Sequence, residues 1–201
     1  MKSHLKHPVQ TNNNLRPFDE PLFCAIGKHR PEIMEDFMRV LLNDDSIEFK
    51  DSAVNIIPAS ITPDNKQTAE FIAYTKNDTV ICFITDSQNE EEMINKVKWY
   101  RASRIKEYAG EDLDSIQSMI LVILMEKDAF GYERPFYVMD SKLEYSDKSV
   151  IFRYKQIYVN SEYGFDDPLG SYIHDFMCDD ADDMRIDSIK ETVKYFESIG
   201  E

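Results

Sequence analysis

Four groups of residues in this chain carry side chains that chemistry can use. The first is a basic stretch, Lys96, Lys98, Arg101, Arg104 and Lys106, interleaved with Trp99 and Tyr100. On a helix, Lys98, Arg101 and Arg104 fall roughly along one flank, where they could follow a phosphate backbone. Three glutamates, Glu90 to Glu92, come first, so the same order also suits a solvated helix that balances its dipole. The second group is His174 and Cys178, which would touch on a helix as a Cys–His nucleophile pair does, although no orienting third group or acyl-transfer motif accompanies them. The third is the acidic run Asp179, Asp180, Asp182 and Asp183, which lacks the glycine and closing glutamate of an EF-hand loop and reads as a solvated turn with a cap. The fourth is a set of separate carboxylates. Glu70 sits in a β-type run, where an acid ordinarily marks the polar face, and Asp19-Glu20-Pro21 has the form of a plain helix start. Only convergence in space would turn these carboxylates into a site.

The elements that must position these groups follow from apolar periodicity and turn chemistry. Phe18–Gly27 is compatible with a short helix turning Leu22, Phe23 and Ile26 inward, and Pro31 opens a second, Pro31–Leu42. β-type runs follow at Ala53–Ile57, Thr68–Tyr74 and Thr79–Asp86, with Pro63-Asp64-Asn65 and Lys76-Asn77-Asp78 as turns, which predicts two consecutive hairpins. Asn89–Tyr108 reads as a long helix capped by Asn89, with Ile94, Val97, Tyr100 and Ile105 on its buried side. Met119–Met125 is an unbroken apolar run, the pattern of a strand covered on both faces, so the long helix is a crossover to a central strand. Further strands are expected at Phe136–Met139 and Val150–Val159, and Asp187–Ile199 closes the chain as an amphipathic helix.

Composition bounds what these elements can build. With 201 residues, 42% of them hydrophobic, the chain has enough apolar surface for one full core and fits a single domain spanning 15–201, preceded by a polar, flexible tail over 1–14. Its 38 acids against 23 bases give a net charge of −15, which repels nucleic acid overall while leaving room for a local basic groove. Cys24, Cys82 and Cys178 are odd in number and widely spaced, which suggests neither a disulfide framework nor a zinc site. With no apolar stretch of signal or membrane-span type, a reducing cytoplasm is the expected compartment, without a membrane partner.

Particular residues resemble a known family. "LRPFDEPLF" (Leu15 to Phe23), "LMEKDAFGYERPFYVMD" (Leu124 to Asp140) and above all "QIYVNSEYGFDDPLGSYIHDFMCDDADDM" (Gln156 to Met184) are similar to the PD-(D/E)XK nuclease family transposases, relatives of the recombination-promoting nucleases of mobile elements. The resemblance implies an α/β restriction-endonuclease-like core, with a mixed central sheet flanked by helices. It also implies a site in which a first-helix acid, a strand aspartate and a Glu-x-Gln or Glu-x-Lys element gather magnesium to hydrolyse DNA phosphodiesters. Carried over, the first acid is Glu20 and the strand acid is Glu70. An ungapped reading, supported by "KVKWY" (Lys96 to Tyr100), then puts Ile84 where the glutamate belongs and Asp86 on the glutamine. A shift of two residues instead makes Asp86-Ser87-Gln88 the Asp-x-Gln element, which keeps the face but moves the acid about 6.6 Å along the strand.

The resemblance therefore implies two states. In an active one, Glu20, Glu70 and Asp86 bind magnesium, Gln88 or a nearby lysine orients water, and Lys96, Lys98, Arg101 and Arg104 hold DNA, in a protein of a kind that often works as a homodimer. In a degenerate one, Ile84 cannot ligate magnesium, which demands oxygen donors, and cleavage is lost or severely weakened. The leading expectation is the degenerate one. A different use for such a chain is as an acidic interaction protein that imitates nucleic-acid phosphates toward a basic partner, as phage-type inhibitors do.

Overall fold

Thr68–Thr75 (β2) and Thr79–Asp86 (β3) form an antiparallel hairpin at the middle of the sheet. Its turn is closed by the Asp78 N–H donating to the Thr75 carbonyl at 3.3 Å, with Asp78 at a φ of 53°, a region that a short polar side chain tolerates. In the computed structural model the described residues are 15–57, 68–86, 90–109, 118–145 and 148–199. Phe49–Ile57 (β1) lies antiparallel to β2, completing the expected pair of hairpins. The long helix Glu90–Ala109 (α3) then carries the chain to Ser118–Met125 (β4), which runs parallel to β3 and is buried along almost its whole length. Phe136–Tyr145 (β5) and Lys148–Asn160 (β6) make a last hairpin, and β6 rather than β5 sits beside β4. The result is a six-stranded mixed sheet of order β1-β2-β3-β4-β6-β5.

Helices cover both faces, giving an α/β class with a mixed, flanked sheet, as the resemblance implies at that coarse level. Glu20–His29 (α1), Pro31–Leu42 (α2), Pro168–Met177 (α4) and Asp187–Ile199 (α5) supply one core with Phe23, Phe37, Phe71, Phe83 and Phe176. On the other face α3 presents Met93, Val97 and Tyr100 to Ile72, Cys82, Ile84 and Ile123. Close approach of α1 to β2 depends on Gly27, where a Cβ would stand 2.6 Å from Cδ2 of Phe71.

Several boundaries differ from the sequence reading. α1 begins at Glu20 rather than Phe18, β1 already at Phe49, and β5 continues past Met139 to Tyr145. Met93 and Val97 rather than Ile94 lead the buried side of α3, with Ile94 half-buried. Helix α4 is an element that periodicity did not suggest. Asp167 accepts from the Gly170 N–H at 2.7 Å, Pro168 fills the first turn, and Gly170 is needed because a Cβ there would lie 1.9 Å from the Phe165 carbonyl oxygen. The expected N-terminal tail, the turn at Pro63-Asp64-Asn65, the Asn89 cap and Gln88 lie outside the described residues.

Candidate functional site

Two of the carboxylates singled out in the sequence, Glu70 and Asp86, lie on the two arms of a fork in the sheet. Between β2 and β3 the ladder covers only Phe71–Tyr74 against Val80–Phe83. Beyond Phe71 and Phe83 each strand continues, but with its other neighbour: Glu70 lies opposite Asn55 of β1, and Ile84 and Asp86 lie opposite Ile123 and Met125 of β4. The first residues past the shared ladder are thus Glu70 on one arm and Ile84 on the other. Strand alternation puts Glu70, Ile84 and Asp86 on the face that carries α3.

Glu70 is fully buried, and its Oε1 accepts from Nδ2 of Asn55 at 2.8 Å, a cross-strand pair set by the β1–β2 register. Glu20, the first residue of α1, reaches the start of β2, where the Thr68 hydroxyl donates to its Oε2 at 2.7 Å. Cys24, one helical turn on from Glu20, lies within the field of both acids. Its thiol is pushed up to about 12, first by burial and then by the charges of Glu20 and Glu70. Both acids thus act on Cys24, while their own hydrogen-bond partners differ, Thr68 for Glu20 and Asn55 for Glu70. Asp19, next to Glu20, is turned elsewhere: it accepts from the backbone N–H and guanidinium of Arg16, which also pairs with Glu126 at 2.9 Å.

Asp86 has a different companion. Its Oδ2 stands 3.1 Å from Nζ of Lys96, and the carboxylate side chain is 1% exposed. Lys96 thus points into the protein, away from the DNA-following role its sequence position suggested. Arg101 is also engaged, with its guanidinium 5.0 Å from the centroid of the Tyr154 ring. A polar chain runs from that ring, Gln156 Nε2 donating to the Tyr154 hydroxyl and the Tyr158 hydroxyl donating to Gln156 Oε1, each at 3.1 Å. Lys98 is exposed, and the Arg104 side chain lies outside the described residues.

Magnesium would require several oxygen donors around one point. Among the described residues no group of three or more His, Cys, Asp and Glu side chains is placed to hold a metal ion. Ile84, 1% exposed, packs in the α3-side core with Ile72, Cys82 and Val97, and an ammonium meets Asp86. The described donor set does not fit the ion.

The other candidates resolve into structural roles. His174 Nδ1 lies 2.8 Å from Oδ1 of Asp175, and the fully buried Asp175 carboxylate accepts from the backbone N–H groups of Arg185 and Ile186, tying α4 to the approach to α5. Cys178 donates through Sγ to the Asp180 carbonyl at 3.1 Å, and its thiol is raised by burial first, with the carboxylates of Asp183, Asp175 and Asp179 adding to it. A thiol held protonated is a poor nucleophile. Asp180 caps a short 3-10 turn, Ala181–Asp183, as the solvated-turn reading expects.

Thr68, Asn55 and Cys24, which surround the two acids, were missed from the sequence, although the helical spacing of Glu20 and Cys24 was a usable signal. Comparison with family models, curated proteins and solved structures finds no match to this chain.

Proposed function

We propose that the chain is a PD-(D/E)XK nuclease-like protein of restriction-endonuclease-like fold, related to the transposase branch of that family, whose metal-dependent DNA phosphodiesterase activity is lost or strongly weakened. The observation that carries this reading is Ile84, a buried aliphatic at the first position past the shared ladder, across the fork from Glu70. An apolar side chain there offers no lone pair to a cation. The Lys96 ammonium beside Asp86 supports the same reading, because it supplies positive charge to the acid that the alternative alignment assigns to magnesium.

The test is a cleavage assay with purified full-length protein on supercoiled, linear and single-stranded DNA, in magnesium and in manganese. The expected result is no cleavage above the level of Glu70→Ala. Metal-dependent nicking by the wild type that disappears in Glu70→Ala overturns the proposal in favour of an active endonuclease.

A second reading, an acidic protein that occupies the basic channel of a nucleic-acid-binding partner, is favoured by the net charge of −15 together with the inward engagement of Lys96 and Arg101. It predicts strongly salt-dependent association with a basic protein and no retention on DNA. DNA binding without cleavage would remove this second reading and leave the first.

A further inference from the structure

We infer that two neighbouring loops, 126–134 after β4 and 161–167 after β6, are the docking surface for an arginine-bearing segment of a partner protein. The inference rests on the second reading above, an acidic protein with a basic partner, and names the surface and the side-chain chemistry through which the two meet.

Exposed aromatic rings mark the place. Tyr132, 74% exposed, and Phe165, 63% exposed, are the most accessible large apolar side chains among the described residues, and one stands on each loop. Exposed aromatic side chains are the kind that protein interfaces recruit as anchors. The loops that carry them are stitched together. The buried Asn160 donates through Nδ2 to the Arg134 carbonyl at 3.1 Å and accepts from the Glu162 N–H at 2.9 Å. The Glu162 carboxylate in turn accepts from the Asp128 N–H at 2.8 Å.

Both rings stand on braced segments. Phe165 stacks on Tyr163, with centroids 4.7 Å apart, and the Tyr163 hydroxyl donates to Asp167 at 2.7 Å. The Tyr132 N–H donates to the Tyr137 hydroxyl at 3.2 Å, and that hydroxyl is fixed by Asp128 at 2.8 Å. Groups already ordered before a partner arrives lose little freedom when it binds.

What selects arginine is the charge beside the rings. The two loops carry six acids, Glu126, Asp128, Glu133, Glu162, Asp166 and Asp167, against two bases, Lys127 and Arg134. Four of the acids are engaged within the fold: Glu126 by Arg16, Asp128 and Glu162 by backbone amides, and Asp167 by the start of α4. Glu133 and Asp166, which directly follow Tyr132 and Phe165, are exposed, and among the described residues their carboxylates make no hydrogen bond or ion pair. A ring beside an open carboxylate complements a guanidinium, which stacks on the one and donates its planar fork to the other. A lysine ammonium has no plane to stack. Phosphates would meet the same carboxylates as like charges, so the occupant is a basic peptide rather than a nucleic-acid strand.

Fluorescence anisotropy of a labelled peptide of alternating arginine and glycine, titrated with the full chain at physiological salt, tests this. The arginine peptide should bind at least about fivefold more tightly than its lysine counterpart. Tyr132→Ala and Phe165→Ala change no charge, and each should weaken that binding by about threefold to tenfold. Glu133→Gln combined with Asp166→Asn should weaken it as well. Tyr195→Ala, which removes a ring 59% exposed on α5, should leave it unchanged. Circular dichroism confirms that all variants keep the fold. The inference is overturned if the wild type does not bind the arginine peptide, if it binds both peptides equally, or if the ring variants make no difference. A labelled oligothymidine held in the peptide's place, and released by the same ring variants, also overturns it. Association with a lysine-rich histone that survives both ring variants removes this inference alone and leaves the second reading standing.

Discussion

Lys96 and Asp86 form an ion pair in a setting where both burial and separation matter, with side-chain exposures of 16% and 1%. Withdrawing one partner leaves a charge that water cannot readily reach. Lys96→Met should therefore cost about 3–5 kcal/mol of stability, and adding Asp86→Leu should recover most of that loss. Equilibrium denaturation of the two variants and the wild type measures this directly. If Lys96→Met proves neutral, the pair is not the buried contact described above. The positions of Glu20, Glu70 and Asp86 as candidate acids were legible in the sequence because motif spacing survives in a linear string. The destination of Lys96 was not. Its helix position equally suits an outward phosphate contact, and only the placement of α3 over β3 decides which way the ammonium points.

At the level of elements, the segment between β4 and β5 shows how one carboxylate can build a loop. Asp128 accepts from the backbone N–H groups of Phe130, Gly131 and Glu133 and from the Tyr137 hydroxyl, while Gly131 and Glu133 both adopt positive φ. Burial acts to raise the Asp128 carboxyl, but the Tyr137 hydroxyl and these three amides together outweigh it and hold the carboxyl below its usual 3.8. A depressed carboxyl contributes stability above its unfolded-state value and loses it as pH falls through the lower folded-state value. Asp128→Asn should thus melt below the wild type at neutral pH, and the gap should close as pH drops beneath 3.8. A gap that persists unchanged in acid would mean that the charge contributes nothing. Most elements here were readable: α2, β3 and α5 fall where apolar periodicity places them. Helix α4 was hidden because Gly170 breaks its pattern, and that glycine answers to the Phe165 carbonyl rather than to any local preference.

For the molecule as a whole, the class of fold follows from one feature of the sequence, the apolar run of β4, which had to be covered on both faces and is. Strand order was less accessible, since nothing local specifies that β6 slips between β4 and β5. The fork has a mechanical consequence as well. β3 is stitched to β2 at four paired positions and to β4 at eight, so the sheet has a short seam beside a long one. The free energy needed to open a region scales with what joins it to the rest. Under native conditions the amides of β1 and β2 should exchange with solvent as one group, at a lower opening energy than those of β4. Equal protection on both sides of the seam would show that α1, clamped onto β2 through Gly27, bears the load instead. In either outcome the short seam of this protein ends beside Glu70, one of the acids that the sequence singled out.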